Sequence, residues 1–481
     1  MALIAVLAVP LLAALLCWFK PLRSIAWGIT VVANWAVFAT AAYVAARVVS
    51  GGRFIGVAGW LEVDGLGALV LVLVSFVCAL ASTYAGGYMR HGERDPNRLW
   101  QFYLVYNLLL LALLAVPALA EVNLVWVAVE LITLFTTLLV GYDWTSSALE
   151  AAWKFAVLTI MGAPIALFGF FILFWAFRSV GGGGWETWEG VRALVPAMNP
   201  NLLKLAFLLV FVGFGAKSGL APTHTWLPDA HSQAPTPICA VLSGVKTTVP
   251  LYVILRFISL ILASPAASVG RWMVIFGLIS VAIAAFLLFQ VRDYKRMFAY
   301  STIEHMGIIL TAAGLSTQAS DFGAVSQMLN HAITKSLCFY AAGLVLLALS
   351  SREIRSVQGL FRISPFAGTA MMFCSLAIAG APPFPIFLSE FAILSAGLRA
   401  GQNAVVAVLG VLIVLAFIAI MLHVNRMVFG RPPVPQVKAA LPLSCRFAVL
   451  AAVAPVAVLG VYIPAPLQNL LQLAALQLGG H

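Results

Sequence analysis

The sequence predicts an all-α, polytopic membrane protein of about fourteen transmembrane helices. Three observations carry that prediction. Of 481 residues, 63% are hydrophobic and 9% are charged, a balance foreign to a water-soluble globule of this length. Apolar windows long enough to cross a bilayer recur along the chain. The connections between them are short, hold most of the positive charge, and leave no room for a soluble domain.

In order, the windows fall at about 2–19, 25–49, 66–88, 99–118, 120–141, 150–178, 202–221, 236–262, 271–291, 296–315, 323–349, 366–397, 404–429 and 443–464. The first, MALIAVLAVPLLAALLCWF, has no basic residue ahead of it, and Lys20 and Arg23 follow it. It therefore reads as a retained helix and not a cleaved signal. After the sixth window, GGGGWETWEGVRALVPAMNPN reads as a Gly-rich tether and an interfacial turn carrying Trp185 and Trp188. The tail IPAPLQNLLQLAALQLGGH reads as a short amphipathic end.

The net charge of +11 would suit a nucleic-acid binder, but the cations form no patch and fall in short loops, as topology signals do. Counted by alternate loops, about fifteen lie on the side of the first and third loops against about eight on the other, which places both termini outward. Lys154, Lys217, Lys246 and Lys335 fit neither count, because apolar windows surround them. The six cysteines, Cys17, Cys78, Cys239, Cys338, Cys374 and Cys445, show no CxxC spacing. They read as packing residues, not as disulfide, iron–sulfur or zinc ligands.

A cation at mid-bilayer costs about 2.5–3.5 kcal/mol on insertion scales, so it normally faces a protein interior or a watered path. Lys217 and Lys246 share one hairpin. Pro222 cannot donate to the carbonyl of Ser218, and Gly219 weakens the same turn, so the seventh helix is expected to break there. Freed backbone at that depth is tolerated only where it lines a cavity. Pro250 likewise removes the helical donor to the carbonyl of Lys246, predicting a kink. The twelfth window repeats the pattern with Pro382, Pro383 and Pro385, followed by Glu390. Two broken helices in corresponding positions of two halves point to an ion path built from internal repeats.

Other polar residues extend this set. Glu130 shares a helical stripe with Thr133 and Thr137. Glu304 and His305 enter the tenth helix on different faces, whereas His331 and Lys335, four apart, share one. The loop THTWLPDAHSQAPTP holds His224, Asp229 and His231; one carboxylate and two histidines make a poor metal set, and a vestibule or docking surface fits them better. A lysine that exchanges protons near neutrality must come down from about pKa 10.4, which burial and a second cation accomplish while a carboxylate opposes it. A Glu130–Lys217 contact that tightens and loosens would thus act as a proton switch, with Lys246, His305, Lys335 and Glu390 continuing the relay.

The run AKSGLAPTHTWLPDAHSQAPTP, the helix with Glu130, STIEHMG, NHAITKSL and the broken twelfth helix together resemble the antiporter-like, proton-translocating membrane subunits of complex I, Mrp-type antiporters and membrane-bound [NiFe] hydrogenases. LSGV, STIEHMG and PPFPIFLSEF look most like component F of hydrogenase-4 and formate hydrogenlyase complexes. The resemblance implies two inverted five-helix repeats, at 99–262 (helices 4–8) and 263–429 (helices 9–13), with helices 1–3 at 1–98 and helix 14 and the tail at 430–481. It implies Glu130 and Lys217 as the switch, Lys335 with His331 as the central relay and Glu390 as the terminal group; His224, Asp229, His231 and Glu304 are read beside these as proton-access or accessory groups. Two departures are expected to matter. Lys246 is shifted about two residues from the family's eighth-helix lysine, and Glu390 stands where L-type subunits carry lysine. The L-type lateral helix is also lacking, which favours an M-like or component F-like subunit.

The function this implies is proton translocation within a larger oxidoreductase of a bacterial or archaeal inner membrane. The chain itself would hold no cofactor or metal, and [NiFe] and iron–sulfur centres would reside in partner subunits. A subunit of an Mrp-type Na+(K+)/H+ antiporter, or an M-like subunit of NADH-quinone oxidoreductase, is the alternative. A haem or quinone enzyme would need paired axial histidines, and nothing around His305 and His331 asks for a porphyrin.

Overall fold

The computed structural model describes residues 1–91, 94–184, 186–262, 264, 269–431 and 440–479. α1 (Ala2–Trp18) and α2 (Ala26–Gly51) lead into an antiparallel hairpin, β1 (Arg53–Gly56) with β2 (Leu61–Asp64), then α3 (Gly65–Tyr88), α4 (Leu99–Ala118), α5 (Val122–Val140) and α6 (Ser146–Ser179). After α7 (Trp188–Leu194) come α8 (Pro200–Ser218), α9 (Trp226–Gln233), α10 (Thr236–Val241), a π turn (Leu242–Lys246) and α11 (Thr248–Leu262). The remainder is α12 (Gly270–Gln290), α13 (Tyr294–Gly314), α14 (Gln318–Leu349), α15 (Leu360–Ile363), α16 (Pro365–Ile378), α17 (Pro385–Arg399), α18 (Asn403–Phe429), α19 (Leu443–Leu459) and α20 (Ala465–Leu478). This is a helical, multi-pass membrane protein.

Among the described residues, 10 helices are by themselves long and apolar enough to cross a membrane. The other apolar windows fall on α1 and α19, of 17 residues each, on α13, and on the pair α16 and α17. α13 is too polar to qualify because it carries Lys295, Arg296, Glu304 and His305, all but Arg296 buried. The breaks lie where proline and glycine put them. α8 stops at Ser218 on Gly219, whose φ of +77° is left-handed, a conformation that suits glycine. α16 stops at Ile378, and Gly380 at φ +78° turns the chain toward α17. The kink at Lys246 takes the form of the π turn, in which the Thr247 amide donates to the Leu242 carbonyl at 3.2 Å.

The β1–β2 hairpin was not foreseen; GGRFIGVAGWLEVD is Gly-rich and reads as loop. The turn expected to carry Trp185 and Trp188 is the helix α7, capped by the Thr187 hydroxyl accepting from the Gly190 amide at 3.1 Å. Trp185 lies outside the described residues. The tail is a docked helix. Its Leu473 covers Gly65, and Gln477 Oε1 accepts from the Leu66 amide at 2.9 Å. All six cysteines are buried and unpaired.

Burial sorts the helices. The apolar window of Thr236–Leu262 is 100% buried, that of α3 89% and that of α14 78%, against 28% for α18. The π turn and α14 therefore stand at the centre of the bundle, and polar residues on them are shielded from lipid. Two close crossings brace this arrangement. A side chain on Gly162 of α6 would collide with the Gly213 carbonyl of α8, and one on Gly277 of α12 with the Gly307 carbonyl of α13. Small residues let membrane helices approach closely, where van der Waals packing holds them together.

Glu186, in the loop before α7, is 2% exposed. Asn123 Nδ2 donates to Glu186 Oε2 at 2.8 Å and to Glu121 Oε1 at 2.9 Å, while the Val122 amide donates to the Glu186 carbonyl at 2.8 Å. Burial first, and then the nearby Glu121 carboxylate, lift the Glu186 carboxyl from 4.5 to about 7 against the Asn123 hydrogen bond and the Arg178 charge.

Two predictions follow from this packing. Gly213→Val or Gly277→Leu is expected to destabilise by about 1–3 kcal/mol through overpacking, lowering the melting temperature in detergent. Gly28→Val, where nothing lies within 4 Å, is expected to leave it unchanged. The folded loop holds the Glu186 proton more tightly than an undocked one. Its contribution is thus full below the undocked value near 4.5 and is lost as pH rises through about 7. Hydrogen exchange of the Val122 and Trp188 amides, corrected for intrinsic pH dependence, should accelerate between about pH 5 and 8, and Glu186→Gln should remove that trend.

Candidate functional site

The first break frees backbone carbonyls at the C-terminus of α8, and side chains take them up. Trp226 Nε1 donates to the Ala216 carbonyl at 2.8 Å, and Lys246 Nζ to the Lys217 carbonyl at 3.0 Å. The Lys246 ammonium also lies 4.0 Å from the Trp226 ring centroid and 4.6 Å from that of Phe155, so two π faces and a helix C-terminus surround the charge. Lys217 itself, fully buried, donates to Glu130 Oε2 at 3.0 Å and to Thr133 Oγ1 at 2.7 Å. Glu130 is 22% exposed at the side of the bundle, so this end of the site reaches the surface.

The second break repeats the arrangement with a histidine. His305 Nε2 lies 3.1 Å from the carbonyl of Ile378, the last residue of α16, and Nδ1 lies 2.9 Å from Gln327 Nε2. Only a protonated nitrogen satisfies a carbonyl, so Nε2–H donates to Ile378 and Nδ1 accepts from Gln327. Ser389 donates to Gln327 Oε1, and Asn330 Nδ2 donates to the Pro385 carbonyl at 2.8 Å and to Ser389 Oγ at 3.1 Å. Glu390 follows Ser389 on α17 and lies against Gln327. A Cβ on Gly380 would overlap Glu390 Oε2, so the glycine that turns the chain also makes room for the carboxyl.

The π turn joins the two clusters. His331 Nε2–H donates to the Ser243 carbonyl at 3.1 Å, the Ser243 and Thr302 hydroxyls are 2.6 Å apart, and the His305 and His331 rings are 5.2 Å between centroids. Lys335 donates to the Phe298 carbonyl at 2.8 Å and to Ser301 Oγ. Glu304 stands within electrostatic reach of Lys335 and Glu390, and its Oε2 is buried without a partner. His231 lies within reach of both Lys246 and Lys335. Its Nδ1–H donates to the Leu227 carbonyl at 2.7 Å and its Nε2 has no partner. A run of buried polar groups thus extends from Glu130 through Lys217, Lys246, His331 and Lys335 to His305, Glu304 and Glu390.

The three loop residues separate. His231 points inward, His224 is buried with Nδ1 unpartnered, and Asp229 forms ion pairs with Arg296 at 2.6 Å and Lys154 at 3.3 Å. Lys154, further paired with Glu150 at 2.6 Å, has its reason in those contacts and no place on the buried run. Among the described residues no three His, Cys, Asp or Glu side chains gather as a metal set. Several members of the run were not foreseen: Gln327, Asn330, Ser389, Ser243, Thr302 and the ring pair Trp226 and Phe155. Gln327 carries a legible signal, standing four residues before His331 as His331 stands before Lys335. Lys295, 1% exposed, donates to the Ala234 carbonyl at 2.9 Å and the Ser232 carbonyl at 3.3 Å. In the sequence alone, beside Asp293 and Arg296, it resembles a solvated loop cation, and sequence reasoning misses it.

Comparison with known proteins places this geometry in a family. Residues 119–416 match the family described as NADH:quinone oxidoreductase/Mrp antiporter, TM, and residues 59–103 match the N-terminus of chain 5 of NADH-ubiquinone oxidoreductase (complex I). The hydrogenase-4 component F homolog of Methylacidiphilum infernorum is 36% identical over 412 residues, covering 84% of this chain and 85% of the relative. Among solved structures, a subunit of an archaeal membrane-bound sulfane sulfur reductase superposes with a TM-score of 0.87 at 23% identity, covering 99% and 98% of the two chains. A subunit of the Mrp complex of Dietzia sp. DQ12-45-1b superposes at 0.85 with 19% identity, covering 99% and 97%. The chain belongs to the antiporter-like membrane-subunit family shared by NADH:quinone oxidoreductases and Mrp antiporters.

Proposed function

We propose that the chain translocates protons as a membrane subunit of a complex I-related respiratory assembly, of the hydrogenase-4 or formate hydrogenlyase type. Redox chemistry and its [NiFe] and iron–sulfur centres belong to partner subunits in this reading. The observation that carries it is the buried run from Glu130 to Glu390, held by hydrogen bonds across two helix breaks where an apolar core would otherwise be cheaper to build. The component F relative supports the hydrogenase assignment.

In operation, the Glu130 carboxylate holds the proton on Lys217 while their 3.0 Å contact is closed. Opening it leaves a desolvated ammonium facing a second cation on Lys246, and the proton moves on. Lys335, His331, His305 and Glu304 relay it toward Glu390, the terminal group. Glu130 Oε1, His231 Nε2, His331 Nδ1 and Glu304 Oε2, all buried without a protein partner, are the points where water is to complete the chain. His224 and Asp229 line access to the break.

The two halves, 99–262 and 263–429, are read as inverted repeats between segments 1–98 and 430–481. Matched features support this: a left-handed glycine at each break, a glycine crossing in each half, and a freed carbonyl bonded to a titratable side chain at each. The arginine-rich loops face the cytoplasm of a prokaryotic inner membrane, which puts both termini outside.

In inverted membrane vesicles of the native host, Lys217→Ala and Lys335→Ala are each expected to cut substrate-driven acidification at least about tenfold, with the complex still assembled on native gels. Glu390→Gln should do the same. Full acidification by an assembled Lys217→Ala complex would refute the relay. The fold shared with the Mrp subunit favours one other reading, cation/proton exchange. Co-purification with small antiporter subunits, and acidification that requires added Na+ or K+, would select it; hydrogenase subunits would select the first.

A further inference from the structure

We propose that the pocket at the ends of α1 to α4 on the arginine-rich face binds one anionic phospholipid through its phosphate headgroup. The cavity volume, ≈ 740 Å³, falls within the range of about 300–1,000 Å³ typical of ligand clefts. Among the described residues its lining includes Lys20, Arg23, Arg90 and Arg94 and no carboxylate. Arg94 is held by Asp143 through contacts of 2.7 and 2.8 Å. Lys20, Arg23 and Arg90 make no ion pair among the described residues. Among the described residues, three cations therefore converge on one cleft without a counterion, an arrangement that gathers anions at a membrane surface.

The walls are built and not merely charged. Trp27 donates Nε1–H to the Ser82 carbonyl at 3.1 Å, and it packs so closely on Gly86 that a Cβ there would overlap the indole. The Arg23 guanidinium sits 3.7 Å over the Trp100 ring, and Arg90 5.3 Å over Trp27, which orients both cations while leaving donors free. Arg23 Nε alone is engaged, at 3.3 Å from the Trp18 carbonyl. Tyr103 supplies the second, independent sign. It lines the same cleft at 2% exposure, and its hydroxyl has no hydrogen-bond partner among the described residues, a cost that a buried donor normally avoids. A phosphate oxygen would accept from it.

Free phosphate offers the same oxygens, but the surroundings favour a lipid. Trp18 and Phe19, next to Lys20, are 64% and 61% exposed, and Leu15 and Leu16 continue an apolar strip along α1. Acyl chains would lie along that strip while the headgroup meets the cations, with the aromatic residues at the interface between them.

The test is native mass spectrometry of the delipidated full-length chain, titrated separately with phosphatidylglycerol, phosphatidylcholine and inorganic phosphate. The first phosphatidylglycerol is expected to bind at least about tenfold more tightly than phosphatidylcholine, with inorganic phosphate neither binding nor competing at millimolar concentration. Arg23→Gln with Arg90→Gln should erase the preference at an unchanged melting temperature. Tyr103→Phe, which keeps the aromatic wall and every charge, should weaken phosphatidylglycerol binding a few-fold, and it carries the test if the double variant does not fold. Equal binding of the two lipids overturns the proposal, as does a preference that survives these substitutions. Saturation by inorganic phosphate overturns the lipid assignment.

Discussion

An interrupted helix at membrane depth must do something with the carbonyls it releases, and here they are given to titratable side chains from another helix. Lys246 bonds the Lys217 carbonyl where α8 ends, and His305 bonds the Ile378 carbonyl where α16 ends. Each contact answers two costs with one bond. An unpaired carbonyl in an apolar interior and an unsolvated polar side chain are both unfavourable by a few kcal/mol, and joining them leaves neither alone. The breaks therefore do not merely tolerate the buried polar groups; each depends on the other for its place.

This dependence requires an interior that lipid and bulk water do not reach, and the packing supplies it. The π turn and α14 lie at the centre of the bundle, while α2 and α18 take the lipid-facing positions. The glycine crossings of α6 with α8 and of α12 with α13 draw the helices bearing the breaks and the histidine tightly against their neighbours. At the two faces the polar groups are tied off by ion pairs, Arg256 with Asp64 on the hairpin side and Asp229 with Arg296 and Lys154 on the other. These charges are thus neutralised locally, and the interior run keeps its own separate set.

Much of this was legible in the sequence because prolines, glycines and charges in apolar windows are expensive and few. The breaks at Gly219 and at Pro382, Pro383 and Pro385, the kink at Lys246 and the ionisable members of the run follow from such residues. What escaped was cheap in sequence terms. Asn330, Ser389, Ser243 and Thr302 are uncharged and gain meaning only from the neighbours that folding gives them. Trp226 and Phe155 read as ordinary apolar bulk until a lysine is found against their faces. The hairpin escaped because glycines hide its alternation, and Lys295 because a helix start rich in charge resembles a loop. Asp229 and His231, two positions apart, show the limit most clearly: about half a turn of α9 sends them to opposite environments, one to an ion-paired surface and one to the core.

The order of charge types along the run has its own consequence. Carboxyl groups stand at both ends, Glu130 at one and Glu304 with Glu390 at the other, and the lysines and histidines lie between them. Unit charges about 10 Å apart at an effective dielectric near 20 interact by about 1.7 kcal/mol, roughly a tenfold change in a protonation equilibrium per neighbour. Neighbouring lysines therefore oppose each other's protonation, and each terminal carboxylate favours it on the lysine nearest to it. In the proposed relay, a proton added at the middle would be displaced toward the ends, and removing one from an end would draw the next outward. Closing or opening the Glu130–Lys217 pair in that relay would change the charge felt by Lys246, and the change would pass on through His331 and Lys335. The two helix breaks fix the spacing on which that coupling depends.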